Sequence, residues 1–437
     1  MIPLTEMLRI FALLPILALA VSGQDDPVFK KIPFDDWLKG SDDAHIRFTL
    51  RTMPARLSVQ QRMAVRVGVE VDGSEFVKRA KSGQVVVFLE IRDHDGSVYR
   101  THRSLKIDER KKPSDLAAVS FDQYTFMTPG DYQVAAAVFD VESKEHSLKQ
   151  IKLRVPQVPK DPLPGAWRGV PSVEFVPLSD PPERWFLPEI TSRLSLPVPN
   201  ERPVRIEVVV NESPTEIAMR RTGRVSTRNM GNLVPALKVI SQIEVQNGSI
   251  NVTLLDLERR KVSFAQEDVK TLDWEKLKAA LLVNDPNKID VHALENHEQN
   301  AQFFVSEIRK RLERTETNGD VPLGLEAEPE KVLIVLSGPM AFPKGQDLRP
   351  IEAAPEPGSK VFYIRYLPPR PGPSPGMVGR GGVGMSPPIP MAPRAPSIED
   401  SLARTLKPLA PRVFDVTNPM EFRNALASII GEISALK

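Results

Sequence analysis

Cysteine is absent from this chain of 437 residues. Its absence excludes a disulfide framework, a thiol nucleophile and a lipid-modified cysteine. The domains must then be held by apolar cores, and the length allows two or three of them. Charge of one sign is lacking too. The net charge of +2 gives no long-range field for nucleic acid or an acidic membrane. Long apolar runs are missing after the first twenty residues, so no later stretch is expected to cross a bilayer. Neither a Ser/His/Asp arrangement nor a nucleophile elbow is recognisable, which leaves serine-hydrolase chemistry without a basis in the sequence.

The start of the chain carries the one apolar run. Arg9 precedes IFALLPILALA (10–20), and small residues cluster at Ala18, Ala20, Ser22 and Gly23. The pattern reads as an export signal over residues 1–23, too short for a spanning helix. An uncleaved anchor is the alternative. With no cysteine, export to a bacterial periplasm or to the medium is the expectation.

After a short segment (24–44), residues 45–156 alternate at period two. Val65, Val67, Val69 and Val71 share one face, and Val85, Val87, Leu89 and Ile91 repeat the pattern, as do Tyr132, Val134, Ala136 and Val138. Alternation with charged outward positions predicts strands covered on one face only. Turn signals at Asp95-Gly96, Pro129-Gly130 and Glu142-Ser143-Lys144 separate them. Strands without helices predict an antiparallel sandwich, and PGDYQVAAAVFDVES resembles the final hairpin of immunoglobulin-like modules.

Residues 157–202 form a proline-laden connector, a composition that excludes regular sheet or helix. Its Trp167, Val173, Phe175, Trp185 and Phe186 suggest packing against a domain. From 203 the period switches. Strands are expected at 204–210, 249–257, 261–266 (an antiparallel edge), 331–337, 360–366 and 412–416. Helices are expected at 232–243 (Leu233, Ala236, Leu237, Ile240, Ile243), after Asp273 (Leu277, Leu281, Leu282), at 293–314, after Ser397 with Asp400, and from Asn418-Pro419 with Glu421. Strands alternating with helices predict an α/β doubly wound, mostly parallel six-stranded sheet over 203–437. Its binding loops fall at the carboxyl ends of the strands. Residues 367–397 interrupt it as a Pro/Gly loop unable to form a core.

The first strand, IEVVV, runs into Asn211-Glu-Ser213-Pro-Thr215. This layout resembles the Asp-x-Ser-x-Ser loop with which von Willebrand factor type A domains hold a divalent metal and capture a partner's carboxylate. The order of elements, the stretch 233–264 and the close at 412–434 are similar to bacterial VWFA-related modules, over about 203–437. The resemblance puts Asn211 in the first aspartate's place and Ser213 and Thr215 in the hydroxyls' places. Ser337 and Gly338 stand where an aspartate follows the fourth strand. Asp290 is the nearest further ligand and has no aligned counterpart. Magnesium is usually held by one or two carboxylates, and an amide with two hydroxyls offsets none of its charge. The site is therefore expected to be degenerate and to hold no cofactor, magnesium and manganese being the ions an intact one would take.

Arg220, Arg221, Arg224 and Arg228 follow this loop closely. With Ser337, the first three are candidate partner contacts, since guanidinium forks pair with carboxylates without a metal; a solvated basic loop is the bland reading. His292, Glu295 and His297 suggest zinc, but positions five apart diverge by roughly 140° on a helix, unlike the His-Glu-x-x-His spacing. GRGGVG (379–384) lies within the Pro/Gly loop, away from any strand-to-helix turn that would cradle phosphate. The sequence thus reads as an exported, non-enzymatic protein-binding, adhesion or scaffold protein. Its partner would be another protein of the envelope or exterior, with no nucleic acid and no membrane span after signal removal. A metal-dependent hydrolase using the His292 region and a purely structural envelope protein are the alternatives.

Overall fold

The structure, a computed structural model, describes residues 26–40, 45–78, 84–106, 118–177, 190–213, 230–283, 298–313, 329–340, 359–367 and 400–436. The chain divides into two compact units. One comprises residues up to Met53 with 67–123 and 130–155; the other comprises 54–66, 124–129 and everything from Pro156 onward. Residues 1–25, with the expected export signal, lie outside the described set. No described helix is long and apolar enough to cross a membrane.

The first unit is built on antiparallel strands. β1 (Phe48–Thr52) pairs with β3 (Met63–Asp72), and β2 (Arg56–Leu57) pairs with the start of β3, which continues from the other unit. A four-stranded sheet follows the order β5-β4-β7-β8, from β4 (Gln84–Arg92), β5 (Val98–Lys106), β7 (Gly130–Asp140) and β8 (His146–Val155). β6 (Ala118–Met127) joins the sheet of β1 and β3. Val67, Val69 and Phe121 meet Val87 and Leu89 around a space of only about 20 Å³. The period-two pattern thus buries one apolar row from each sheet, as alternation requires.

Two expectations fail here. The strands are not free of helices: α2 (Gly73–Lys78) follows β3, its first turn opened by the Asp72 carboxylate accepting from Ser74 N (2.9 Å), with Phe76 buried. Nor is β4 covered on one face only. Val86, Phe88 and Glu90 are as buried as Val85, Val87 and Leu89. The cause is the segment before the strands. Asp26 caps a 3-10 turn (Pro27–Lys31), and α1 (Phe34–Trp37) follows. Phe29 and Phe34 lie edge-on or tilted against Phe88, with centroids 5.0 and 6.3 Å away. Together with Ala137 they form an apolar cluster on the sheet's outer side.

In the second unit the six-stranded sheet has the order β14-β13-β11-β15-β16-β17. Its strands are β11 (Val204–Asn211), β13 (Gly248–Asp256), β14 (Lys261–Gln266), β15 (Glu330–Ser337), β16 (Lys360–Tyr366) and β17 (Arg412–Val416). All neighbours are parallel except β13 with β14. Among the described residues five α-helices accompany it: α3 (Met230–Ile240), α4 (Trp274–Val283), α5 (Glu298–Leu312), α6 (Ser401–Leu406) and α7 (Pro419–Ser434). Ile206, Val208 and Val210 pack with side chains of α3, α4 and α7; Val209, Leu333 and Val335 pack with those of α5 and α6. Both faces are covered, so the strands read as unbroken apolar runs. Gly248 opens β13 at φ +149°, where a Cβ would come within 1.9 Å of the Val204 carbonyl. Only glycine allows β11 and β13 to begin side by side there.

Smaller differences have local causes. Ile243 belongs to a strand, β12 (Ile243–Val245), that pairs in parallel with β10 (Leu196–Val198). The helix stops at Ile240, where the Ser241 hydroxyl bonds back to the Lys238 carbonyl (2.9 Å). Asp400 caps α6, accepting from Ala403 N (3.3 Å); Ser397 lies outside the described residues, as do 368–399. At α7 Asn418 accepts from Met420 N and Glu421 N, while Glu421 reaches back to Thr417. The connector also contains regular sheet. Three residues free of proline form β9 (Val173–Phe175), paired with the last residues of β6. In β10 only Pro197, exposed, interrupts the pattern, a position that edges tolerate.

The connector is bound into the second unit by two buried arginines. Glu174 accepts from Arg62, from Thr191 N and Oγ1, and from Ser192 N. Arg423 of α7 is fully buried. It holds Asp161 through Nε (2.6 Å) and Nη2 (2.7 Å), reaches the Leu163 carbonyl, and lies 4.8 Å over the Trp167 ring. Burial alone would raise the Asp161 pKa; the Arg423 and Leu163 N hydrogen bonds and the Arg423 charge outweigh it and lower the pKa.

Candidate functional site

The order of strands in the second unit reverses between β11 and β15. Crevices at the carboxyl ends of parallel strands open at such a reversal. Asn211 ends β11 and Ser337 ends β15, and Val210 pairs with Leu336 just before them. Register alone therefore brings together two residues far apart in sequence. The Asn211 side chain, 1 % exposed, donates from Nδ2 to Ser337 Oγ (2.9 Å) and lies 3.7 Å from Met340 Sδ. Its Oδ1 accepts from Ser213 N (3.0 Å), an Asx turn that bends the chain out of the sheet. Ser337 passes the chain on by donating to the Gly338 carbonyl (2.7 Å).

Ser213 turns towards β13. Its hydroxyl accepts from Leu257 N (2.7 Å) and Glu258 N (3.3 Å), satisfying amides beyond the end of the strand. Glu212, between the two, accepts from Ser263 of β14. Thr215, Arg220, Arg221, Arg224 and Arg228 lie outside the described residues, as do Asp290, His292, Glu295 and His297.

A second group at the same edge was not singled out from sequence. Asp400 receives Tyr363 Oη (3.2 Å) and Arg365 Nη1 (3.1 Å) on one oxygen, and on the other Met340 N (3.4 Å) besides the helix cap. Arg365 also grips Asp415, opposite it on β17, through Nε (2.7 Å) and Nη2 (3.0 Å). Hydrogen bonding to Asp415 raises the Arg365 pKa above its ordinary value, Asp400 adds to this, and burial opposes it. Burial, then the Asp400 charge, raises that of the Tyr363 phenol. Both therefore stay protonated as donors. An arginine and a tyrosine inside the apolar run KVFYIRY were the available signal, because such groups are buried only with partners.

A divalent cation does not fit these residues. It needs oxygen lone pairs converging, with negative charge among them. Asn211 presents an N–H to Ser337, Ser213 gives its oxygen to two backbone amides, and Asp400 is neutralised by Arg365. The arrangement can fix loop geometry and display it. No described group is placed as an activated nucleophile.

Glu258 adds a titratable group beside Ser213. Burial and the neighbouring Asp256 charge raise its pKa to about 7, against Arg259, which lowers it. The folded state therefore holds a proton that the unfolded chain releases near 4.5. This contribution is fully present below that value and is lost as pH rises towards 7 and beyond. Thermal unfolding followed from pH 5 to 8 is expected to fall in midpoint less steeply for Glu258→Gln than for the parent. Parallel curves would contradict the assignment.

No family model matches the chain, and no curated protein does. Weak structural similarity exists to the crystal structure of conserved hypothetical protein BatB from Bacteroides thetaiotaomicron. Identity is 13 %, over 53 % of this chain and 98 % of that one, with a TM-score of 0.28. Chicken interferon gamma receptor alpha chain matches at 11 % identity over 26 % of this chain and 50 % of its own, TM-score 0.17. A structural genomics target, SoR45, matches at 15 % over 27 % and 91 %, TM-score 0.17. Likenesses of this strength carry no function to this chain.

Proposed function

We propose that this is an exported, non-enzymatic protein-binding protein whose second unit is a doubly wound, von Willebrand A-like domain with a degenerate metal site. Recognition falls to loops at the carboxyl ends of the parallel strands. The observation that carries the reading is the closed hydrogen-bond chain from Ser213 through Asn211 to Ser337 and Gly338, which directs donors and used oxygens where a cation would need acceptors. The strand order, reversing at that point, supports the placement. Arginines at 220, 221 and 224 would supply the positive charge that attracts a partner's carboxylate.

Unfolding temperature measured with millimolar magnesium or manganese is expected to stay unchanged, in the parent and in Ser213→Ala alike. Capture of host envelope proteins by residues 24–437 should persist in chelator and weaken with salt and with Arg221→Ala. A rise in unfolding temperature with manganese that Ser213→Ala abolishes would overturn the metal-free reading. Capture indifferent to salt and to Arg221→Ala would remove the arginines from it.

A further inference from the structure

Among the described residues, the outer face of the four-stranded sheet in the first unit is only partly covered. Paired residues cross it in rungs: Arg100, Glu90, Ala135 and Gln150 form one, and Val98, Arg92 and Gln133 the next. The aromatic segment covers part of the first rung, with Arg100 over its rings and Ala135 at the edge of its cluster, and stops short of the second. A cavity of about 560 Å³ remains, walled on one side by Asp35, Leu38 and Lys39. Its depth follows from sequence, since Ala135 is small and stands between long side chains on neighbouring strands. That volume lies in the range of small-molecule and peptide-end sites.

Its charges are unevenly used. Glu90, 2 % exposed, takes Arg100 Nε (2.9 Å) and Arg92 Nη2 (3.1 Å). Arg100 is further held by Asp35 and lies over the rings of Phe29 and Phe34. Both carboxylates are thus engaged with Arg100. Arg92 gives only Nη2 to protein among the described residues, whereas Lys39, the remaining cation of the lining, lies 3.5 Å from the Asp36 carboxylate. Gln133 donates to Gln150 (2.6 Å), which leaves the Gln150 amide hydrogens and the Gln133 oxygen for a ligand. Leu38, Val98 and Ala135 supply a small apolar surface, and no aromatic ring of the described residues lines the space.

We propose that this cavity binds the free carboxyl end of a peptide whose last side chain is small and apolar. Arg92 takes the carboxylate, the glutamine pair takes the adjoining peptide group, and the last side chain rests on Ala135. A sugar acid shares the carboxylate, but the described lining offers its ring no flat aromatic platform to pack on. The site is distinct from the strand-end loops of the second unit, and its test does not depend on them.

Calorimetric titration of the full chain with N-acetyl-glycyl-glycyl-alanine, with its C-terminal amide, and with glucuronate decides the matter. The acid is expected to bind, the amide about tenfold more weakly or worse, and glucuronate not at all. Arg92→Gln should weaken the acid to the level of the amide. Ala135→Leu, which fills the hollow and leaves every charge in place, should abolish binding, with unfolding curves verifying that both variants fold. Equal binding of acid and amide, preference for glucuronate, or no heat from the acid at about 10 mM would each overturn the proposal.

Discussion

Arg423→Ala is expected to lower the unfolding free energy by about 3–5 kcal/mol, the range for breaking a buried ion pair from one side. The substitution leaves Asp161 charged and without its two guanidinium bonds, releases the Leu163 carbonyl, and empties the space over Trp167. Gln61 is drawn in as well. It bonds Arg423 Nη1 and the Pro419 carbonyl, and its own carbonyl receives Trp167 Nε1 (2.7 Å). Lysine should rescue only part, since it keeps the charge but not the fork. The Asp161 carboxylate is lowered in the folded state, so the pair stabilises above the ordinary carboxylate range and fails as pH falls through the lowered value. The variant should therefore lose stability at neutral pH and converge with the parent in acid. Chemical denaturation at pH 7 and pH 3 measures both, and a neutral-pH loss under about 1 kcal/mol would mean that the connector is anchored elsewhere.

Asn211→Asp is the second large effect. It introduces the acid that the resembling von Willebrand A loops carry, in a place whose partners do not suit one. The amide's donation to Ser337 disappears, and a carboxylate enters a site that is 1 % exposed. A loss of about 1–3 kcal/mol is expected at pH 7. Burial raises such a carboxyl's pKa, so the loss should shrink at pH 5, where the group is closer to neutral. Millimolar manganese should not restore stability, because Ser213 still serves Leu257 and Glu258. Full recovery with manganese would reveal a latent site that one substitution reopens.

How much of this could be read from the sequence depended on how local the cause was. KVLIVLS and KVFYIRY announce strands buried on both faces, because no alternation of polar and apolar positions runs through them. Asn211 and Ser337 could be named as neighbours, since each ends such a strand. Asp400 could not be placed with them. Its partners Tyr363, Arg365 and Met340 come from other elements, and only the parallel register gathers them. The connector's β9 was hidden by its prolines, although Val173–Phe175 contains none and needs only three free donors and acceptors to pair. The segment before β1 was the least legible part. Phe29, Phe34 and Trp37 follow no period, and their role appears only against Phe88 and Phe139.

That segment sets a limit on where the first unit can be cut. A fragment starting after residue 40 would strip Phe29, Phe34 and Trp37 from Val86, Phe88, Ala137 and Phe139. An oily stripe would then lie across the middle of a sheet whose outer strands, β5 and β8, are both edges, an invitation to self-association. Excising this unit for study thus means carrying along fifteen residues that look, by composition, like a dispensable tail.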